Sequence, residues 1–277
     1  MKIFTFFTVI PAIFIFSLLC VSRVDADTKD TLQNLESDTI IYIGIEDTGS
    51  EWPPYEYFRR ENGIKTRIME GFCIDVLNDI FSQHGLKYEF REYPWKRCLR
   101  YLESGEKIQM VLPTSVSTER KAKYLISHRT YSITPSYFYM KKKYPDGLAI
   151  TGSDELSEHR PVCGRLGFNY QNFGVENKII EKGAITFDAL IKKLKHGRCN
   201  VILARYEALA GHSLILQPLL TDDIGFAPIP DVPVEDFHFM ITRKSAFSNE
   251  LLQIINNGID SLRSQGRLKE ILRKYIR

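Results

Sequence analysis

The sequence predicts a two-lobed α/β protein exported behind an N-terminal signal, and three observations carry that prediction. The first is a helix–glycine–strand unit used twice, at 98–112 and again at 190–203, about 90 residues apart. The second is length. Removal of a signal leaves 251 residues, more comfortable as two domains than as one. The third is the start of the chain, where residues 3–21 carry no charge, Lys2 precedes them, and Val24 and Ala26 occupy the −3 and −1 positions of a cut.

The elements follow in order. Residues 1–26 read as the signal peptide. An uncharged run of 19 residues just reaches across a bilayer, so a membrane anchor is the competing reading. Thr5, Thr8, Pro11 and Ser17 weaken that anchor, and Leu19 is too large for a lipoprotein cut before Cys20. Residues 27–38 are polar and read as a flexible leader. Residues 40–45 form a β-branched run expected to be a buried strand. Residues 51–57 hold two prolines and three large aromatics, so they read as a loop, and Asn62-Gly63 marks a turn. From Cys73 to His84 the apolar residues recur at helical spacing and stop at Gly85. Residues 86–90 alternate as a strand.

In each repeated unit a short helix is closed by glycine, Gly105 or Gly197, in the role that residue has just past a helix end. Apolar strands follow at 108–112 and 201–203. Residues 237–241 read as a strand, and 249–276 as two amphipathic helices broken near Gly266.

Charge excludes one class of function. Without residues 1–26 the chain has 35 basic and 33 acidic residues, too even a balance for electrostatically driven nucleic-acid binding. Four cysteines remain, Cys73, Cys98, Cys163 and Cys199, and an even count in an exported chain favours disulfides. Three pairings are open. Cys73–Cys98 with Cys163–Cys199 is preferred because each bond then staples one lobe, and four buried thiols are the alternative. No close cysteine pair or HxxxH spacing supports a metal site, and no motif calls for a cofactor.

In open α/β sheets, ligands lie beyond the carboxyl ends of the strands. That rule singles out 113–120, 164–170 and 204–207. Glu56, Asp75, Glu119 and Glu207 are acids available for proton transfer, but none sits in a catalytic motif, so no enzyme is expected.

Five features then stand in a recognisable order: Pro53-Pro54-Tyr55-Glu56-Tyr57, Gly71-Phe72-Cys73-Ile74-Asp75, Ser117-Thr118-Glu119-Arg120, Ser127 with Thr130-Tyr131, and Gly266-Arg267-Leu268 before Lys274-Tyr275. In these the chain resembles the family 3 bacterial extracellular solute-binding proteins, from about Ile40 to Ile276. Trp95, Arg97 and Cys98 make it similar to a divergent branch rather than to the typical amino-acid binders.

The resemblance implies the type II periplasmic-binding fold, α/β with a hinge crossed twice. Lobe 1 is then 39–133 with 230–277, and lobe 2 is 134–229. It implies a periplasmic monomer that closes on a small carboxylate-bearing or otherwise anionic ligand and delivers it to a membrane transporter permease. A ligand-sensing subunit for a membrane signalling partner and a dehydratase-like enzyme are the alternatives.

The implied ligand residues are Trp52, Tyr55, Trp95, Ser115, Arg120, Arg165, Asn169 and Arg205. Arg120 matches the arginine that grips the ligand carboxylate, a task suited to a planar fork of donors. Ser115 matches a hydroxyl on the same group, and Trp52 and Trp95 match the aromatics that sandwich the ligand. Arg205 departs from the pattern, because amino-acid binders carry an aspartate there for the ligand ammonium. Three arginines therefore predict a basic cleft, unless Arg205 pairs with Glu207, Asp222 or Asp223.

Overall fold

The computed structural model describes Met1, Leu35 and residues 39–46 and 51–275. Apart from Met1 and Leu35, the expected signal and leader lie outside the described residues. No helix among the described residues is long and apolar enough to cross a membrane.

Strand β1 (Ile40–Glu46) starts the first sheet. Its pleat sends Ile41, Ile43 and Ile45 into the main core, while Tyr42 faces a second cluster on the other side. Residues 52–56 close a tight turn, with Trp52 N–H donating to the Glu56 carbonyl at 2.8 Å. A hairpin of β2 (Tyr57–Glu61) and β3 (Ile64–Glu70) follows, turning at Asn62 and Gly63 with positive φ. Half of the hairpin's strand residues are charged and half are exposed, so no apolar alternation announces it beyond the turn itself.

Helix α1 (Phe72–Ser82) buries Cys73, Val76, Leu77, Ile80 and Phe81 on one stripe. Gly71 precedes it with φ 126°, and a Cβ there would lie 2.5 Å from the Tyr55 carbonyl oxygen. Glycine is therefore what allows the aromatic turn to dock on the helix start, where Cys73 N–H donates to that same carbonyl at 2.8 Å.

Strand β4 (Lys87–Tyr93), helix α2 (Trp95–Ser104), strand β5 (Met110–Ser115) and helix α3 (Thr118–Lys123) complete the first run. Both β4 and β5 are parallel to β1, giving the order β4-β1-β5. Strands β6 (Leu125–Ile126) and β7 (Tyr131–Ile133) come next, and the chain then leaves this sheet.

The second sheet uses β8 (Pro135–Met140), β9 (Val162–Arg165), β10 (Ile180–Ala184), β11 (Val201–Arg205) and β12 (Ile224–Pro228). Its order is β10-β9-β11-β8-β12, with β9 parallel to both β10 and β11. Helices α4 (Phe187–Lys195) and α5 (Tyr206–Ile215) flank it. Strand β13 (Glu235–Ile241) re-enters the first sheet antiparallel to β5 and also pairs β6 and β7. Helices α6 (Ser248–Ser264) and α7 (Arg267–Arg273), broken at Gly266, pack their apolar faces on the first core.

The chain thus passes between the sheets twice, at Thr134 and again between Pro228 and Glu235. Glu207 clamps the first passage: its carboxylate accepts from Thr134 N–H and from Thr134 Oγ1, each at 2.7 Å.

The cysteines divide. Cys163 and Cys199 are joined, tying β9 to the segment before β11. Cys73 and Cys98 are not joined, which corrects the expected second disulfide. The first sheet separates them. Cys73 packs with Ile41 and Ile43 on one face, and Cys98 packs with Leu102, Ile108, Val111 and Met240 on the other. The Cys98 thiol donates instead to the Ile45 carbonyl at 3.4 Å. Sequence spacing reports which lobe a cysteine belongs to but not which face of its sheet.

Candidate functional site

The carboxyl ends of β1, β5, β9 and β11 meet around a cavity of about 300 Å³ between the two sheets. That size lies at the lower end for small-molecule sites. From the first lobe come Glu46, Trp52, Glu56, Trp95, Lys96, Thr114, Ser115 and Arg120. Leu166, Phe168, Asn169, Ile185 and Arg205 come from the second, and Phe237 from β13.

Arg120 is set by α3, whose start is capped by Ser117 Oγ accepting from Arg120 N–H at 3.2 Å. Its Nη1 donates to Thr114 Oγ1 (3.0 Å), the Ser115 carbonyl (2.6 Å) and Ser115 Oγ (3.3 Å). Among the described residues these partners are all neutral oxygens. Burial first and the nearby Arg205 charge second lower its pKa, against an opposing pull from Tyr124, Glu235 and Glu119. Trp95 covers the guanidinium, with the ring centroid 5.6 Å from Cζ. Asn169 reaches across from the second lobe to donate to Ser115 Oγ at 3.3 Å.

Arg205 lines the same cavity in a different electrostatic state. It is 3% exposed and forms a two-pronged ion pair with Glu235, Nη2 lying 2.9 Å from Oε1 and Nε donating to Oε2. Nη2 also donates to the Asn169 carbonyl at 2.8 Å, and Asn172 donates to Glu235 Oε1 at 2.8 Å. The partner is therefore none of Glu207, Asp222 or Asp223, but a residue 30 positions away on the returning strand.

Two expected ligand residues do not line the cavity. Arg165 is 2% exposed, donates to the Ile185 carbonyl through Nε (3.0 Å) and Nη2 (2.7 Å), and lies against the rings of Phe168 and Phe187. Burial brings it down to about 10, opposed by Glu46. Tyr55 stacks on Tyr131 with centroids 3.8 Å apart, inside the first core. The expected triple-arginine lining thus reduces to one arginine with only neutral partners, one neutralised arginine, and the exposed Lys96. A buried guanidinium needs its donors satisfied, and in Arg165 and Arg205 the fold itself satisfies them.

Trp52 packs against Phe168 (5.5 Å), Phe187 (6.0 Å) and Phe237 (6.0 Å), bringing the two lobes into direct contact. Gly211 on α5 adds to that contact, since a Cβ there would lie 2.5 Å from the Pro53 carbonyl oxygen. Of the four acids noted in the sequence, only Glu56 lines the cavity. Asp75 is bound by Lys274 and Tyr275, Glu207 clamps Thr134, and Glu119 contacts Lys123 on the surface. Thr114 falls within the stretch 113–120 that the strand-end rule singles out, whereas Glu46 was not singled out, although the same rule applied to β1 reaches it.

The comparisons with known proteins agree with this two-lobed fold. Residues 43–277 match the family described as "Bacterial extracellular solute-binding proteins, family 3". A probable histidine-binding protein of Neisseria gonorrhoeae is 20% identical, the match covering 83% of this chain and 81% of that one. A probable amino-acid-binding protein of Bacillus subtilis (strain 168) is 22% identical, over 87% of this chain and 85% of its own.

Among solved structures, a Streptococcus pneumoniae ABC uptake transporter substrate-binding protein with bound histidine superposes with TM-score 0.68. It is 18% identical, over 90% of this chain and 96% of that one. An ancestral amino-acid-binding protein, a precursor of cyclohexadienyl dehydratase, gives 0.67 at 17% identity, over 89% and 100%. The chain belongs to the family 3 bacterial extracellular solute-binding proteins and has their two-lobed fold.

Proposed function

We propose that this protein captures a small carboxylate-bearing, amino-acid-like solute between its lobes in the periplasm and delivers it to an ABC importer. Lobe 1 (39–133 with 230–277) and lobe 2 (134–229) form the two jaws. One observation carries the reading. Arg120 presents its guanidinium to an aromatic-lined cavity, and its hydrogen-bond partners among the described residues are neutral oxygens, including the hydroxyls of Thr114 and Ser115. A cation in that setting is suited to a carboxylate, which accepts two parallel N–H bonds from one arginine. Trp52, Trp95 and Phe168 supply the apolar walls that exclude water. The amino-acid-binding relatives support the ligand class.

Titration calorimetry with amino acids and with the amines that lack their carboxylate tests the reading. Binding is expected only when the carboxylate is present, and it is weakened about a hundredfold in Arg120→Ala. Equal binding of an amino acid and its decarboxylated amine refutes it.

A second reading, an acid–base enzyme in the same cleft, rests on Glu56, an acid in the cavity wall that burial raises to about 8. Recovery of every bound compound unchanged after long incubation is expected under the binding reading. Turnover of any of them selects the enzyme.

A further inference from the structure

Arg205 lines the ligand cavity, but its charge is already taken. Three phenyl rings surround its guanidinium, with Cζ 5.0 Å from the centroid of Phe173, 5.7 Å from Phe237 and 5.9 Å from Phe168. In so apolar a setting a guanidinium needs a counter-charge, and Glu235 supplies it. The Glu235 side chain is 1% exposed, lies outside the lining of the ligand cavity and borders a separate groove with Val116 and Asn172. Arg205 Nε and Nη2 donate to its two carboxylate oxygens, and Asn172 fixes Oε1 with a third bond. The remaining nitrogen of Arg205, Nη1, has no hydrogen-bond partner among the described residues. Arg205 therefore keeps a free donor, while its charge is cancelled by a carboxylate held on the other two nitrogens.

The pair is electrically coupled to the carboxylate grip. Burial first and the Arg205 charge second pull Arg120 down, while Tyr124, Glu235 and Glu119 pull it up. Arg205 and Glu235 thus act on Arg120 with opposite sign and offset one another. Removing the Glu235 charge alone leaves two uncompensated guanidinium groups along one cavity. Two such cations suit a ligand with two anionic groups, whereas one cation beside a neutral pair suits a ligand with one. A second carboxylate placed against the neutralised arginine loses its hydration and gains no net opposite charge. Selectivity of this kind comes from what a site withholds from the wrong ligand.

We propose that Glu235 sets how many anionic groups the ligand carries: by neutralising Arg205 it makes the cleft accept one carboxylate and reject two. Glu235 acts through Arg205 and is a positioning residue, one that tunes charge without touching the ligand. The proposal rests on the cleft being a carboxylate site gripped by Arg120.

Calorimetry with three matched pairs tests this: L-glutamate and L-glutamine, L-aspartate and L-asparagine, succinate and succinamate. Within each pair an amide of the same shape replaces the second carboxylate, and the result is read in the pair that the parent binds most tightly. The parent is expected to bind the amide member about tenfold more tightly than the acid, the scale of a modest charge interaction. Glu235→Gln keeps the shape and an accepting oxygen but not the charge, and there the preference is expected to reverse by about the same factor. In Arg205→Met with Glu235→Leu neither charge remains, and the parent preference is expected to persist. A merely structural role for Glu235 moves the affinity for both members together and leaves their ratio unchanged. Melting curves check that each variant is folded.

A parent that binds the acid more tightly than the amide overturns the proposal without any variant, because the Arg205 charge is then already available. An unchanged ratio in folded Glu235→Gln overturns it as well. If none of the six compounds binds parent or variant, the proposal falls, while the carboxylate reading is decided independently by amino acids and their decarboxylated amines. Amide binding that weakens about a hundredfold in Arg120→Ala keeps that reading intact even where the ratio at Glu235 does not move.

Discussion

The two lobes repeat one topology and use it oppositely. In each, three parallel strands lie in the order second-first-third, and an antiparallel strand supplied by the other crossing joins beside the third. Each third strand leads to an arginine at the cavity, Arg120 just after β5 and Arg205 at the end of β11. Arg120 keeps its charge available because its hydrogen-bond partners among the described residues are neutral oxygens. Arg205 spends its charge on Glu235, delivered by the strand that returns from the second passage. The stapling differs as well: the second lobe carries the disulfide, while in the first the two thiols are divided by the sheet. Equivalent positions in a repeated fold therefore do not have equivalent chemistry. What a strand end does depends on which distant side chain arrives beside it.

The comparison breaks hardest at Arg205. Arg205→Ala leaves Glu235 buried and unpaired, and is expected to cost about 3–5 kcal/mol of stability, read as a fall in the denaturant midpoint. Replacing both partners by apolar residues, as in Arg205→Met with Glu235→Leu, is expected to recover much of that loss. A single variant as stable as the parent shows that the pair is not structural.

Next comes the staple. Cys163 and Cys199 close a loop of 36 residues, and Cys199→Ser is expected to lower stability by about 3–4 kcal/mol on the chain-entropy account. Cys98→Ala is expected to leave the response to reductant unchanged, because the first lobe contributes no disulfide. Melting curves with and without dithiothreitol check both.

Arg120→Ala is expected to weaken ligand binding by about 3 kcal/mol, close to a hundredfold, from the loss of charge-assisted bonds. Its melting temperature should barely change, the reverse of Arg205→Ala. The smallest effect is expected at Trp95→Ala. Loss of the ring over Arg120 should reduce affinity by about 0.5–1 kcal/mol, measured in the same titrations.

Some of the site was legible in the residues and some was not. Trp52, Trp95, Ser115, Arg120, Asn169 and Arg205 all line the cavity, because a loop at the carboxyl end of a parallel strand has only one place to go. Tyr55 in the turn after β1 and Arg165 at the end of β9 stand beside these residues but turn into the protein, where stacking on Tyr131 and bonding to the Ile185 carbonyl hold them. Nothing in spacing distinguishes a loop side chain that faces the cleft from its neighbour that faces the core. Glu46 was passed over because it reads as the end of an apolar strand, and Glu56 stood out only as one acid of four.

The sequence by itself determined many of the elements, the twofold α/β plan and the family, since these rest on local periodicity, glycine stops and the order of short motifs. It also located the loops that bear the site. Tertiary structure alone decided the charge of that site and the fate of the cysteines. Whether a guanidinium is available depends on a carboxylate 30 residues away for Arg205 and on the neutral oxygens that hold Arg120. Whether two cysteines bond depends on which face of a sheet each occupies. Pairing and burial act over a few ångströms between segments far apart in the chain, and no local pattern encodes those distances.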